Sequence, residues 1–243
     1  MEKALLLSPS EAERLTPPKT TGAASGAPVL FHAMIVGSEF CHNQLPSPAA
    51  LQRLLKLFPG TSLVLATAIL TDKALPPLEK LLQASSAMIN EVIVNDFGVF
   101  QLLENKFRFK LSLGRLLARE FALMDPAWAK SFLKARGVHA VEADTPVLAA
   151  MAVKLGLKVS WHRPMTFTAV TTFCPFEKHF KARCRHSCEG KLEKLSNPHL
   201  PLPLFLAEKA YFCPRPENAG LSKKPWRDVI TLNFLRHAGI RRR

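Results

Sequence analysis

The sequence predicts an α/β fold closed as a TIM-like (β/α)8 barrel. Short apolar runs alternate with amphipathic segments along most of the chain, and a rhythm of one strand then one helix implies parallel strands joined by right-handed crossovers. Size agrees: 243 residues, 48% apolar and 21% charged, are enough to bury one full barrel core. An open doubly wound sheet is the alternative closure.

Taken in order, residues 1–28 hold Pro9, Pro17, Pro18, Gly22, Gly26 and Pro28 among Ser, Thr and Ala. Apart from a short helical piece near Glu11–Leu15 no apolar period runs through them. They read as a flexible leader to a single barrel domain over 29–243. Phe31–Gly37 is strand-like, and Ser47-Pro48 then supplies an N-cap and a first-turn proline for a helix to Phe58, with Gly60 just past its end. Ser62–Ala66 is the next strand, followed by a helix near Pro76–Ala84. Glu91–Asn95 is the third, leading into a helix that starts near Phe97. Phe107–Leu111 is the fourth, and Val138–Glu142 follows a helix over Pro126–Ala135. A helix over Pro146–Gly156 leads to the sixth strand, Lys158–Trp161. Weaker candidates at Leu204–Ala207 and Val229–Asn233 complete the barrel. After Pro164 the rhythm breaks, and 174–225 reads as a Cys- and Pro-rich insertion that follows the sixth predicted strand.

Composition narrows the function classes. No stretch reaches the roughly 20 uncharged apolar residues that span a bilayer. Met1–Leu7 is too short and too weakly basic for a secretion signal, so the expected location is the cytoplasm. The 33 basic and 19 acidic residues give a net charge of +14, which attracts polyanions such as RNA without specifying one. There is no glycine-rich phosphate loop, no serine-hydrolase elbow and no His-Glu-x-x-His helix.

The cysteines carry the strongest chemical signal. Five of them, an odd number in a chain without a signal segment, argue against a disulfide framework. Cys174, Cys184 and Cys188 crowd together in the spacing C-x9-C-x3-C, and Cys41 directly follows the first predicted strand, where a parallel barrel presents its carboxyl mouth. Four thiolates at one mouth would suit a soft metal or an iron–sulfur cluster. Zinc competes, with Cys184 and Cys188 as a short pair and His179, His186 or His199 as further ligands. A third reading makes the cysteines small buried hydrophobes, which fits poorly where Lys181, Arg183, Arg185 and His186 surround them. Cys213 is either the alternative fourth ligand or a spare thiol. Asn95-Asp96 ends the third predicted strand, as a helix N-cap or a substrate contact. Arg115 and Arg163 end the fourth and sixth and are candidates for binding a carboxylate. No residue stands out as catalytic.

The segments Ile35-Val-Gly-Ser-Glu-Phe-Cys41, Val92-Ile-Val-Asn-Asp-Phe-Gly98, Leu113-Gly-Arg-Leu-Leu117 and Arg163-Pro-Met165 ahead of Cys174 resemble, in order and placement, peptidase family U-thirty-two, the collagenase-like protease family. They are most similar to its UbiV and UbiU ubiquinone-biosynthesis branch, over about residues 29 to 190. The resemblance implies a TIM-like barrel with a 4Fe–4S cluster on Cys41, Cys174, Cys184 and Cys188. It implies oxygen-independent hydroxylation of a ubiquinone precursor or RNA, an anionic oxygen donor such as prephenate, and a homologous UbiU-like partner subunit. The family label also implies a protease, for which no nucleophile–base–orienter set is recognisable. A zinc-stapled, basic RNA-binding module is the remaining alternative.

Overall fold

The structure, a computed structural model, describes residues 1–16, 31–180, 184–215, 221 and 224–237. Eight parallel strands close a barrel in the order β1 (Glu2–Leu7), β2 (Ala33–Gly37), β3 (Ser62–Ala66), β4 (Glu91–Val94), β5 (Lys110–Leu113), β6 (Val138–Ala143), β7 (Lys158–Arg163) and β12 (Arg227–Thr231), with β12 pairing back onto β1. The expected (β/α)8-type barrel is therefore the fold. Among the described residues no helix is long and apolar enough to cross a membrane.

Local chemistry explains the helices that surround it. Ser47, Asp96, Asp125 and Thr145 each accept a backbone N–H at the start of α2 (Pro48–Leu57), α4 (Phe97–Lys106), α6 (Pro126–Ala135) and α7 (Pro146–Lys154). In α2, α6 and α7 a proline follows the cap and pre-sets the first turn. With α3 (Leu75–Ser85) and the short α5 (Arg115–Phe121), these helices bury Leu51, Leu54, Leu78, Leu82, Phe100 and Leu117 against the outward side chains of the strands. Inside the barrel Ala4, Ala33, Ile35, Val64, Ala66, Ile93 and Val229 form a separate apolar cluster.

Four expectations need correction. Glu2–Leu7, read as part of the leader, is β1, paired with β2 and β12, and α1 (Pro9–Arg14) follows it through a Ser8–Glu11 capping box. Residues 17–28 of that leader lie outside the described residues. The apolar run Ala4–Leu7 is a strand buried on both faces, and the Pro/Gly-rich stretch behind it hid the connection to β2. The fourth strand is Lys110–Leu113, because Phe107 is the C-cap of α4 and stacks on Phe109 outside the barrel. Leu204–Ala207 belongs to no barrel strand. It is β10 of an antiparallel sheet ordered β8 (Met165–Val170), β11 (Ala210–Pro214), β10, β9 (Glu193–Leu195). That sheet starts at Met165, ahead of the expected insertion at 174, just after a cis Arg163–Pro164 bond.

The antiparallel sheet caps the carboxyl mouth. Phe40, in the loop after β2, packs on Phe167 at 5.0 Å and Phe212 at 5.3 Å, and Phe212 meets Phe234 of α8 (Leu232–His237) at 4.8 Å. With Leu116 and Met165 these rings form an apolar seam between cap and barrel.

Candidate functional site

Behind that seam lies a layer of buried charge. Arg115, the first residue of α5, folds back into the barrel mouth and is 1% exposed. Its Nε and Nη2 donate to Glu39 Oε2 at 2.8 and 2.6 Å, its backbone N–H donates to Glu39 Oε1 at 2.9 Å, and Nη1 lies 3.5 Å from Asp144 Oδ2. Phe40 covers the guanidinium at 4.9 Å. Burial pushes the Glu39 carboxyl upward, but the charges of Arg115 and His162 outweigh it and hold the group at about 2. Below, His162 Nε2 is 2.6 Å from Glu142 Oε2, both fully buried.

Backbone features make room for this layer. Asn95 donates to Thr67 O at 2.8 Å and accepts from the Leu116 N–H at 2.9 Å, fixing the start of α5. Its amide sits where a side chain at Gly114 would be, since a Cβ there would come within 2.2 Å of Asn95 Nδ2. Gly37, with φ of 116°, turns the chain out of β2, and a Cβ there would meet Ala66 O at 2.5 Å.

The turn between β10 and β11 delivers a second carboxylate. Glu208 has φ of 55°, uncommon for a residue with a side chain, and accepts from the Ser38 hydroxyl. Ser38 Oγ in turn accepts the N–H groups of Phe40 and Cys41, each at 2.9 Å. Burial, with Glu11 and Glu39 nearby, raises Glu208 to about 7 against the pull of the Ser38 bond. A cavity of about 60 Å³ lies here, lined by Glu39, Arg115, Glu208, Gln44, Cys188 and Lys191 among others.

The structure brings the four cysteines of the sequence pattern into one neighbourhood. Cys188 lies within electrostatic reach of Cys41 and Cys184, and Cys184 within reach of Cys174. Cys41, Cys174 and Cys188 are buried and Cys184 is half-buried. Burial first, then the Glu208 charge, pushes Cys41 and Cys188 each to about 12, so in the metal-free chain both stay protonated. Three of the sulfurs have N–H groups directed at them: Asn43 N–H to Cys41, His186 N–H to Cys184 at 3.3 Å, and Gln44 Nε2 to Cys188 at 3.5 Å. The segment around Cys174 and Cys184 is tied to Glu177, which His179 and the Ser187 and Arg185 N–H groups hold at about 2.

Other expected site residues have structural partners. Asp96 caps α4 and also accepts from the Leu70 N–H at 3.3 Å. Arg163 Nε and Nη2 reach Asp228 at 2.6 and 2.5 Å. Arg115 is engaged by two carboxylates. Cys213 sits on β11 opposite Thr166 of β8, with Asp144 and Arg215 as its charged neighbours, apart from the other cysteines. His186 Nδ1 is near Gln44, whereas His199 lies on the exposed stretch after β9. Glu39, Gln44, Glu177 and Glu208 were not singled out from the sequence. Glu39 stands inside a quoted motif, but only its distant partners mark it.

The residues fit a soft-metal group in donor type, in N–H groups aimed at sulfur, and in place at the barrel mouth. Among the described residues no three His, Cys, Asp or Glu side chains already converge as a cage for a single ion, so the thiols form a neighbourhood and not a preformed single-ion site.

No family model and no curated protein matches the chain. Among solved structures, the U32 peptidase Mk0906 is similar at 13% identity, covering 95% of this chain and 92% of that one with a TM-score of 0.48. An enolase from Pseudomonas fluorescens Pf0-1, with bound magnesium, potassium and tartrate, is 18% identical with a TM-score of 0.37. An enolase from Thermobispora bispora, complexed with magnesium and formate, is 14% identical with a TM-score of 0.36. Each enolase match covers 55% of this chain, which spans only about a third of the enolases, 32% and 33%. The barrel described above stands on its own strand pairing, independently of these likenesses.

Proposed function

We propose that this chain is an iron–sulfur protein in which Cys41, Cys174, Cys184 and Cys188 hold a 4Fe–4S cluster at the barrel mouth, and that it serves oxygen-independent hydroxylation as the hydroxylase or as its partner subunit. One observation carries the reading: thiols from two segments more than 130 residues apart in sequence are electrostatic neighbours at the carboxyl mouth, where barrels place their chemistry. The resemblance of the sequence segments to the U-thirty-two family supports the hydroxylation part.

When bound, such a cluster supplies one-electron or Lewis-acid chemistry. The chain's own groups define what surrounds it. Arg115, held by Glu39 and Asp144, fixes the floor of the cavity and has little left for a substrate carboxylate. An anionic donor such as prephenate would therefore meet its cation at Lys191 on the cavity wall. Glu208, near 7, can hold or release a proton at its carboxyl beside Ser38. Phe40, Phe212 and Phe234 exclude water from one side.

A hydrolytic reading draws no support here. Glu142, His162 and Ser160 supply the residue types, but Ser160 Oγ and His162 Nδ1 are both buried and bond neither each other nor another described group.

The test is anaerobic purification followed by an absorption spectrum and iron, sulfide and zinc assays. A brown protein with about four irons per chain, lost on replacing any one of the four cysteines by Ala, is the expected result. Full iron in all four variants would sink the ligand assignment. About one zinc in a colourless protein would replace the cluster by a structural ion.

A further inference from the structure

Glu177 takes no part in the proposed ligation, yet it is the most heavily used side chain around the cysteines. Its Oε1 accepts the N–H groups of Arg185 at 2.8 Å and Ser187 at 3.1 Å and lies 3.5 Å from Cys184 Sγ, while Oε2 is 2.9 Å from His179 Nε2. The N–H between those two backbone donors, that of His186, points instead to Cys184 Sγ at 3.3 Å. His186 has φ of 58°, in the left-handed region. Three successive N–H groups are thus shared between one carboxylate and one sulfur, in the concave arrangement that suits an anion.

Regular structure contributes little in this segment. Between β8 and β9 the described residues form no helix or strand, only a bridge between Cys174 and His179, with Cys174 N–H donating to His179 O at 2.8 Å and Lys178 N–H to Cys174 O at 2.7 Å. Lys178 is also left-handed, at φ of 54°. Left-handed non-glycine residues, here one in each of two separate turns, persist only where their surroundings over-determine them. The side-chain bonds that tie the 184–187 segment to the 174–179 turn converge on Glu177.

We propose that Glu177 is the positioning residue that builds the thiol site: it pins 184–187 to the turn at 174–179 and thereby aims the His186 N–H at the Cys184 sulfur. The inference rests on reading these cysteines as ligands, and it adds what sets their geometry. Glu177→Ala removes the carboxylate's bonds to Arg185, Ser187, Cys184 and His179 and leaves only the backbone bonds of the 174–179 turn and the His186 N–H contact, no longer pinned, in place. Glu177→Gln keeps an oxygen that can accept the Arg185 and Ser187 N–H groups, so it should restore the site.

Two readouts on the full chain test this. In the metal-free, reduced protein, alkylation of Cys184 mapped by mass spectrometry should be several-fold faster in Glu177→Ala than in the wild type, because the sulfur loses both the carboxylate beside it and the bonds that pin its segment. Cys213 should react at an unchanged rate and shows that the barrel is intact. After reconstitution with iron and sulfide, Glu177→Ala should lose its cluster absorption to a chelator about tenfold or more faster, in line with the usual effect of outer-shell partners. Glu177→Gln should be close to wild type in that assay and between wild type and Glu177→Ala in alkylation, since it keeps the acceptor and loses the charge that, after burial, holds the Cys184 thiol up. Wild-type rates in Glu177→Ala, or a Glu177→Gln as impaired as the alanine variant, would overturn the proposal. If wild-type chain takes up neither iron nor zinc, the cluster reading fails, and the alkylation rates still decide the role of Glu177.

Discussion

The barrel carries one buried arginine–carboxylate pair at each end, and they are built differently. At the amino end Arg227, the first residue of β12, donates to Glu91, the first of β4, at 2.8 and 3.2 Å. Glu91 also accepts from the Ser112 hydroxyl and lies 3.5 Å from His139, while Arg227 reaches Glu2 at 3.2 Å. All of these groups sit on barrel strands. At the mouth, Glu39 stands in a loop, Arg115 at a helix start and Asp144 just past β6. There the carboxylates Glu39, Asp144, Glu142 and Glu208 share the buried Arg115 and His162, with the half-buried Arg119 and Arg215 within electrostatic reach of Asp144. Glu142 Oε1 and Asp144 Oδ1 accept no hydrogen bond from the described groups. The lower pair is a plug whose partners are matched. The upper one is a polar floor with surplus acceptors beside a cavity and four thiols. Barrel enzymes divide stability and chemistry between the two ends in that way.

The sharpest way to break the comparison is to remove each arginine's charge. Arg115→Met takes from Glu39 and Asp144 the one guanidinium in contact with both and leaves them the more distant charges of His162, Arg119 and Arg215, and should cost roughly 3 to 5 kcal/mol in urea unfolding. Arg227→Met leaves Glu91 with Ser112 and His139 still beside it, so the loss should be smaller, roughly 2 to 3 kcal/mol. Equal losses, or a larger one at Arg227, would mean that the two ends are energetically alike.

Acid titration sharpens it further, because it strikes both ends at once. Glu39 and Glu91 are each held at about 2: burial pushes both up, and Arg115 with His162 at the mouth, or His139, Arg227 and Ser112 at the base, outweigh it. A carboxyl lowered by folding contributes stability that is whole above its ordinary value near 4.5 and drains away as pH falls toward 2. Each should contribute about 3 kcal/mol over that window. Unfolding midpoints measured between pH 6 and pH 2.5 should fall steeply in the wild type and less steeply in Glu39→Gln and in Glu91→Gln. An unchanged slope in either variant removes that carboxylate from the account.

The difference between the two ends also explains what could be read from the sequence. Strands buried on both faces leave continuous apolar runs, and Ser47-Pro48, Asp125-Pro126 and Thr145-Pro146 mark helix starts in a code of neighbouring residues. Seven barrel strands, among them the weaker candidate Val229–Asn233 that overlaps β12, and the main helices were legible for that reason. Ala4–Leu7 was not, since its pairing partners are Ala33–Val36 and, at the far end of the chain, the residues of β12. The cysteines announced themselves by residue type and spacing. Glu39 and Glu208 did not, because a carboxylate becomes a buried site residue only through its partner: Arg115 lies 76 residues from Glu39, and Ser38 lies 170 from Glu208. Gln44 reaches Cys188 across 144 positions. Local patterns carry no record of such meetings.

The smallest expected effect isolates the surplus acceptors of the mouth. Glu208 is raised to about 7, chiefly by burial, with the Ser38 bond opposing. A carboxyl raised by folding contributes stability that is whole below its ordinary value and is lost as pH rises through the folded value, here between about 4.5 and 7. Because the residue is only partly buried as a whole, about 2 kcal/mol is the expected size of that loss. The amino-end cluster contains no counterpart, since Glu91 is lowered and not raised. Glu208→Gln should therefore flatten the limb between pH 5 and 8 in metal-free protein and leave the acid limb intact, while a Glu91→Gln chain keeps the limb between pH 5 and 8. If Glu208→Gln unfolds with the wild-type slope across pH 5 to 8, the carboxyl is ionised without penalty, and the mouth holds no more unbalanced charge than the plug beneath it.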